Sequence, residues 1–291
     1  MMTFRTQSEV WLAEQESRNI KPSSLRSYRS ILNVHLYPRF ADQPLEQLAL
    51  INNKALRQLV ADLKRNYKPA TIRIAAQTFK AVLDSPVDDN GVRMFCCEWN
   101  NDFANLPAVN PLEQRAPVIT NKEIEHVVAT HRDQLLFGIL GGTGARISEI
   151  LALTGKEWDR DAGILFIRQA KSPAGVREID LPWELNIWLR DGLGDVAPDR
   201  RLFPGSLTSY RTRARGVTGF AHSFRRFRLT WLRKVGAPED LLRAWLGHNE
   251  KSISDRYSKL KVDRAYRREQ CQRAGLGFEL PESEVSAQAA D

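Results

Sequence analysis

The chain has 291 residues, with 43 Lys or Arg against 35 Asp or Glu and a net charge of +8. Apolar residues make up 42%, enough to bury sizeable cores, and the length fits two domains better than one. No run of 18 apolar residues occurs, which predicts no transmembrane helix, and the polar start does not read as a secretory signal. Cys96 and Cys97 are adjacent and Cys271 stands apart. They match neither a disulfide framework nor a zinc spacing, and a reducing cytoplasm is the expected compartment.

The first part reads as helical. Residues 6–18 carry Val10, Trp11 and Leu12 among polar neighbours. A second helix opens after Lys21-Pro22-Ser23-Ser24, with Leu25, Tyr28, Ile31, Leu32, Val34 and Leu36 as its apolar stripe. Asn52 or Asn53 can cap a third, with Leu56, Leu59, Val60 and Leu63 on one face. Pro69 and Thr71 open a fourth, with Ile72, Ala75, Ala76, Phe79 and Val82. A compact bundle of four or five helices follows. Residues 84–117 break the pattern with turn signals at Ser85-Pro86, Asp89-Asn90-Gly91, Leu106-Pro107 and Asn110-Pro111, with room for a short helix over 93–103. The expected division is a helical domain over 1–107, a proline-bearing linker over 108–117 and a second domain over 118–291.

The second domain opens on a capping box, Thr120-Asn121-Lys122-Glu123. An apolar helix over 135–140 is expected to be interrupted by Gly141-Gly142-Thr143-Gly144, with helical spacing resuming over 146–153. Residues 163–168 and 176–181 alternate and are rich in β-formers, and the turn Lys171-Ser172-Pro173-Ala174-Gly175 between them makes a β-hairpin. Helices are expected around 183–190, 206–215, 222–235, 238–246 and 252–257. The domain is therefore mostly helical with a small antiparallel sheet. The polar tail from about 281 carries no such pattern.

Charge is unevenly spread. From Arg200 to Pro238 there are ten Lys or Arg and no Asp or Glu. A solvated face normally mixes signs, so a one-sign stretch of this length favours a phosphate-facing surface over a merely soluble basic one.

Five short segments carry the chemistry: Thr143-Gly144-Ala145-Arg146-Ile147-Ser148-Glu149-Ile150-Leu151; Lys171 in the hairpin turn; His222-Ser223-Phe224-Arg225; Leu246-Gly247-His248; and Ser254-Asp255-Arg256-Tyr257. His222 and His248 are 26 residues apart, and Tyr257 follows nine after His248. None of these motifs is decisive alone, since H-x-x-R recurs by chance; five in this order are a strong signal. The set resembles the tyrosine recombinase (phage integrase) family over the whole second domain. The first domain is similar in kind to that family's helical, SAM-like core-binding domain. Arg146 could be a surface residue paired with Glu149 at i+3, but the flanking Thr143-Gly144 favours catalysis; Glu149 reads as structural, orienting Arg146 or a helix end.

The resemblance implies a site-specific DNA recombinase that cleaves and rejoins strands through a 3′-phosphotyrosyl intermediate. Arginine is always charged, and its planar fork matches two phosphate oxygens, so Arg146 and Arg225 would clamp the scissile phosphate and stabilise transition-state charge. His222 and Arg225, three apart, share a helix face; the resemblance assigns His222 to proton transfer. Tyr257 would be the nucleophile and Lys171 the general acid for the leaving 5′ oxygen. His248 would bond the phosphate or orient the nucleophile, or, on the blander reading, merely close a helix C-terminus. Tyr266 lies too far past His248 for the pattern.

No ATP, metal or other cofactor is implied. The implied partners are double-stranded DNA, held in a clamp of two domains, and a homo-tetramer on paired sites. Accessory DNA-bending or directionality proteins are possible partners, and no membrane is involved. In the first domain Lys21, Arg26, Arg29, Arg73 and Lys80 are candidate DNA contacts. In the second, Arg226, Arg228 and Arg233 read as backbone contacts or solvated charge, and Trp183, Trp188, Trp231 and Trp245 as core. The apolar residues after Tyr257, among them Leu276, Phe278 and Leu280, are expected to dock into a neighbouring subunit. A catalytically silent DNA-binding protein of the same fold and a type IB topoisomerase-like strand transferase are the alternatives.

Overall fold

The computed structural model describes residues 2–110, 119–170, 173–218, 222–248 and 260–281. The chain divides into two units, Met1–Gln114 and Arg115–Asp291.

The first unit is built from α1 (Phe4–Ser17), α2 (Pro22–Ile31), α3 (Tyr37–Phe40), α4 (Leu45–Leu50), α5 (Asn52–Lys64) and α6 (Pro69–Leu83). The Thr3 side chain caps α1 by accepting from the Thr6 N–H. Prolines open α2 and α6, where a missing N–H costs no intrahelical bond. Phe4, Phe40 and Phe79 stack at the centre, with Phe79 centroids 5.6 Å from Phe4 and 4.8 Å from Phe40.

The expected stripe of the second helix fails at one place. A π turn over Leu32–Leu36 joins α2 to α3. Its i→i+5 spacing adds a residue to the turn and rotates the following side chains. Val34 is therefore turned out, 52% exposed, and His35 is turned in. The expected short helix over 93–103 is also absent. Side chains hold that segment as irregular backbone instead: Asp88 accepts from Asn90 and Val92, Asn52 and Asn53 donate to the Glu98 carbonyl, and Trp99 donates to Asp84. Such local side-chain bonds compete with a helical ladder.

The second unit packs helices around a three-stranded antiparallel sheet, β1 (Trp158–Asp159), β2 (Ile164–Ile167) and β3 (Arg177–Asp180), in that order. Register pairs Ile164 with Asp180 and Ile167 with Arg177, so the hairpin turn joins the Ile167 and Arg177 ends. The helices are α7 (Asn121–Thr130), α8 (Gln134–Thr143), α9 (Ile147–Ile150), α10 (Trp183–Leu193), α11 (Leu207–Thr218), α12 (His222–Lys234), α13 (Glu239–Leu246) and α14 (Arg264–Ala274). The Thr120–Glu123 capping box starts α7 as expected. The glycines after Leu140 do not interrupt α8, which runs to Thr143. They are in the helix because neighbours press on it: a Cβ on Gly142 would sit 2.5 Å from Leu185 and 2.8 Å from Leu276. Trp188 and Trp245 are buried and Trp231 is half-buried, but Trp183 is 45% exposed, because the buried face of α10 begins only at Leu185.

The segment after α14 overturns another expectation. Leu276 and Phe278 lie in the same buried cluster as Ile124, Phe137 and Phe227 of their own unit. Arg228 and Trp231 of α12 donate to the carbonyls of Gly275 and Ala274, and Asn121 donates to that of Gly277. These apolar residues complete their own core and are not free for a neighbouring subunit. Removing residues after Ala274 is thus expected to destabilise the unit itself. Truncating one large buried side chain costs about 2–5 kcal/mol, so losing both approaches the whole stability of a domain. Calorimetry of the truncated protein should show a loss of at least ~10 °C or no cooperative transition; an unchanged Tm would refute this.

Candidate active site

The site grows from the end of α8. Gly144 terminates that helix in the left-handed region, with φ 66°, and its N–H closes on the Leu140 carbonyl. A Cβ there would lie 2.7 Å from Leu246, so glycine lets α8 end directly against α13. Two residues on, Arg146 caps α9 in extended conformation. Its N–H donates to Glu149 Oε2 at 3.0 Å, and its Nη1 lies 2.6 Å from Oε1. Glu149 is 3% exposed, and its Oε2 also takes Arg177 Nη2 at 3.0 Å.

Arg225 comes from the opposite side, on α12, and is buried. Its Nη1 donates to the Gly144 carbonyl at 2.9 Å and its Nη2 to the Leu246 carbonyl at 2.5 Å. One guanidinium thus joins the end of α8, two residues before Arg146, to the end of α13, two residues before His248. Gly247 then leaves α13 with φ 67°, and the His248 N–H turns back to the Arg243 carbonyl at 3.0 Å. This is the helix-terminating geometry of the blander expectation, and the exposed His248 follows directly on the Leu246 and Trp245 carbonyls that Arg225 and Arg177 hold. His222, one turn before Arg225, is exposed at the start of α12.

The electrostatics link these residues. Burial pushes Arg225 down to about 10, helped by the charges of Arg146 and Arg177 and opposed by Glu149; at neutral pH it stays charged. His222 is held below the ordinary histidine value by desolvation, then by Arg225, Arg226, Arg146 and Arg211, so it is neutral near pH 7. Glu149 is held below the usual carboxylate range. Burial alone would raise it, but its bonds and charge interactions with Arg177, and then Arg146, outweigh that. The cluster holds three guanidinium groups, Arg146, Arg177 and Arg225, against one carboxylate, Glu149. Arg225 donates only to backbone carbonyls and has no carboxylate within ion-pair distance among the described residues. Desolvated charge of one sign is costly, and an anion entering beside Arg146 and Arg225 would offset it.

Of the expected set, Arg146, Arg225 and His222 therefore lie within electrostatic reach of one another at the junction of α8, α12 and α13, and the backbone of His248 ends α13 at that junction. Lys171 and Tyr257 lie outside the described residues, as does the helix expected over 252–257. Sequence reasoning missed Arg177. It reads as one more polar residue of a strand, yet its side chain is only 6% exposed and binds Glu149, the Trp245 carbonyl at 2.7 Å and the Gly175 carbonyl at 2.7 Å.

The basic stretch also divides. Arg228 is 3% exposed, pushed down to about 10 by burial, and bonds the Gly275 carbonyl just past α14 rather than solvent. It is therefore neither a backbone contact nor solvated charge. Arg213 pairs with Asp133 at 2.5 Å and Arg233 with Glu239 at 3.6 Å. In the first unit, Arg29 lies 3.5 Å from Glu16, Arg73 donates to the Pro107 carbonyl, and Lys80 donates to Asn101 over the Trp99 ring.

Among the described residues no helix is long and apolar enough to cross a membrane. A search of curated proteins finds no match. Solved structures share the fold. The Tn1549 transposon integrase in complex with transposon right end DNA matches with a TM-score of 0.67 at 15% identity, over 90% of this chain and 99% of that one. A lambda integrase dimer bound to a core site matches at 0.65 and 17%, over 98% and 100%. A lambda integrase tetramer bound to a Holliday junction matches at 0.66 and 18%, over 90% and 81%. The family model for the N-terminal SAM-like domain of phage integrases matches residues 3–56. With the phage integrase family model matching residues 118–264, a span that holds Arg146, Arg177, His222, Arg225 and His248, the chain belongs to the phage integrase family of tyrosine recombinases.

Proposed function

We propose that this protein is a site-specific DNA recombinase that cuts and rejoins strands through a covalent bond between Tyr257 and a 3′ phosphate. The observation that carries it is the excess of positive charge: among the described residues three guanidinium groups share one carboxylate, and the buried Arg225 has only carbonyl partners. A phosphodiester is the anion that a fork of arginines fits best.

In this reading Arg146 and Arg225 hold the nonbridging oxygens and stabilise the charge that grows on them during attack. The Tyr257 oxygen bonds to phosphorus as the P–O5′ bond breaks. Lys171 supplies the proton to the leaving 5′ oxygen, and His222, neutral near pH 7, accepts the phenol's proton. His248 bonds the phosphate. The phosphotyrosyl bond keeps the phosphodiester energy, so a 5′ hydroxyl from another strand can reverse the step and complete exchange. These steps draw on the chain's own side chains. The residues over 118–291 act as the catalytic domain and those over 1–107 as the DNA-binding domain, joined by a linker over 108–117. Four copies assemble on two paired duplex sites in the cytoplasm, with basic residues of both domains on the phosphates and a salt-sensitive affinity.

Incubation with a nicked suicide duplex tests the reading. The expected product is a protein–DNA adduct stable to denaturation and joined through a 3′ phosphate. Duplex binding with no adduct on any nicked site would instead favour a catalytically silent DNA-binding protein. Adduct formation with supercoil relaxation but no exchange between two sites would favour a topoisomerase-like strand transferase.

A further inference from the structure

Helix α14 begins seven residues after Tyr257, and one of its side chains is spent on an unusual set of partners. Arg267 is 6% exposed. Its Nη1 donates to the Lys261 carbonyl at 2.8 Å. Its Nη2 lies 2.6 Å from Glu178 Oε2 and 3.3 Å from Asp180 Oδ1, and its Nε lies 3.1 Å from Asp180 Oδ2. Both carboxylates belong to β3. Asp180, 3% exposed, also takes the Trp245 indole N–H at 2.7 Å. The carbonyl of that same Trp245 takes Arg177 Nε, and Arg177 holds Glu149. A continuous chain of bonds thus runs from the backbone just beyond the nucleophile to the carboxylate behind Arg146.

Chain length shows why the Lys261 end matters. A fully extended chain spans about 3.3–3.6 Å per residue. Tyr257 is four positions before Lys261, a chain span of at most about 14 Å. The nine residues from His248 allow about 32 Å. The downstream peg is the tighter constraint. A buried charge is also a poor way to gain stability compared with an apolar side chain of the same size; what it adds is specific placement.

We infer that Arg267 is a positioning residue for strand cleavage, pegging the Lys261 carbonyl to the Glu178–Asp180 end of β3 so that the nucleophile is held in register with the phosphate site. The inference rests on the reading of Tyr257 as the nucleophile.

Two reactions of the full-length protein on the nicked suicide duplex test it. In the first, Arg267→Lys, whose single ammonium cannot span one carbonyl and two carboxylates, forms the tyrosyl adduct about 10- to 100-fold more slowly at saturating DNA. Its Kd for the duplex stays within about twofold of the parent's. In the second, Tyr257→Phe is supplied with hydrogen peroxide. Hydroperoxide attacks the phosphorus, and the 5′ oxygen leaves with a proton. This nucleophile is untethered, so adding Arg267→Lys leaves its rate within about twofold.

Equal losses in both reactions would place the damage in the phosphate site and overturn the inference, as would an undiminished tyrosyl rate. Asp180→Asn carries the same comparison, with the same expected split, should Arg267→Lys fail to fold. An adduct that persists in Tyr257→Phe alone would refute the nucleophile assignment instead, a separate outcome.

Discussion

Replacing Tyr257 with phenylalanine is expected to take covalent trapping below detection, a fall of roughly five to six orders of magnitude, the scale seen when a covalent nucleophile is deleted. Affinity for the duplex should stay within about twofold, because phosphate contacts by Lys and Arg dominate it and the phenol supplies none of them. The substitution removes one oxygen and leaves the ring, which makes it a clean probe.

The other tyrosines are already committed. Tyr210 is buried and donates its hydroxyl to the Pro204 carbonyl at 2.8 Å. Tyr266 is half-buried against the cluster that holds Leu232 and Trp245, with its backbone N–H on Asp263. In the first unit Tyr37 bonds Ser8, Tyr28 packs on Trp11 and Tyr67 on His35. Tyr266→Phe is therefore the control that should retain full trapping. An adduct that survives Tyr257→Phe and vanishes with Tyr266→Phe would reassign the nucleophile.

Much of the fold was legible because single helices and turns are local. The stripes of α5 and α6, the Thr120–Glu123 capping box and the hairpin at Gly175 follow from spacing and turn chemistry alone. What was not legible depends on partners distant in sequence. Val34 and His35 exchange places because of a π turn that spacing rules do not contain. Gly141 and Gly142 look like a break, yet they are contact points for Phe278, Leu185 and Leu276, up to 137 residues away. The run without acidic residues looks like one basic surface, yet Arg225 and Arg228 fold inward and Arg213 reaches Asp133. The order of the motifs singles out the candidate residues, but it does not show the charge balance among them. That balance turns on Glu149 and Arg177, 28 residues apart, pairing with both side chains nearly out of solvent.

Glu149→Gln should show what that balance is worth. The carboxylate is 3% exposed and holds Arg146 on one oxygen and Arg177 on the other. Removing its charge leaves a buried guanidinium without a counter-ion, which costs about 3–5 kcal/mol. It also releases Arg146, and if Arg146 holds the phosphate as proposed, cleavage should fall about 10²–10³-fold.

The sign with pH separates charge from packing. The folded-state pKa of Glu149 is depressed, so its contribution is present above the ordinary carboxylate value of about 4.3 and is lost as pH falls through the lower folded value. The stability gap between parent and Glu149→Gln should therefore be full at pH 7 and close as pH falls below about 4. Urea unfolding at the two pH values measures it; an equal gap at both would mean the loss is one of shape. Arg177→Met added to Glu149→Gln should cost much less than the two changes summed, since removing both halves of a buried pair leaves no charge stranded. Cleavage should stay low in that double variant, because Arg146 still lacks the carboxylate that aims it.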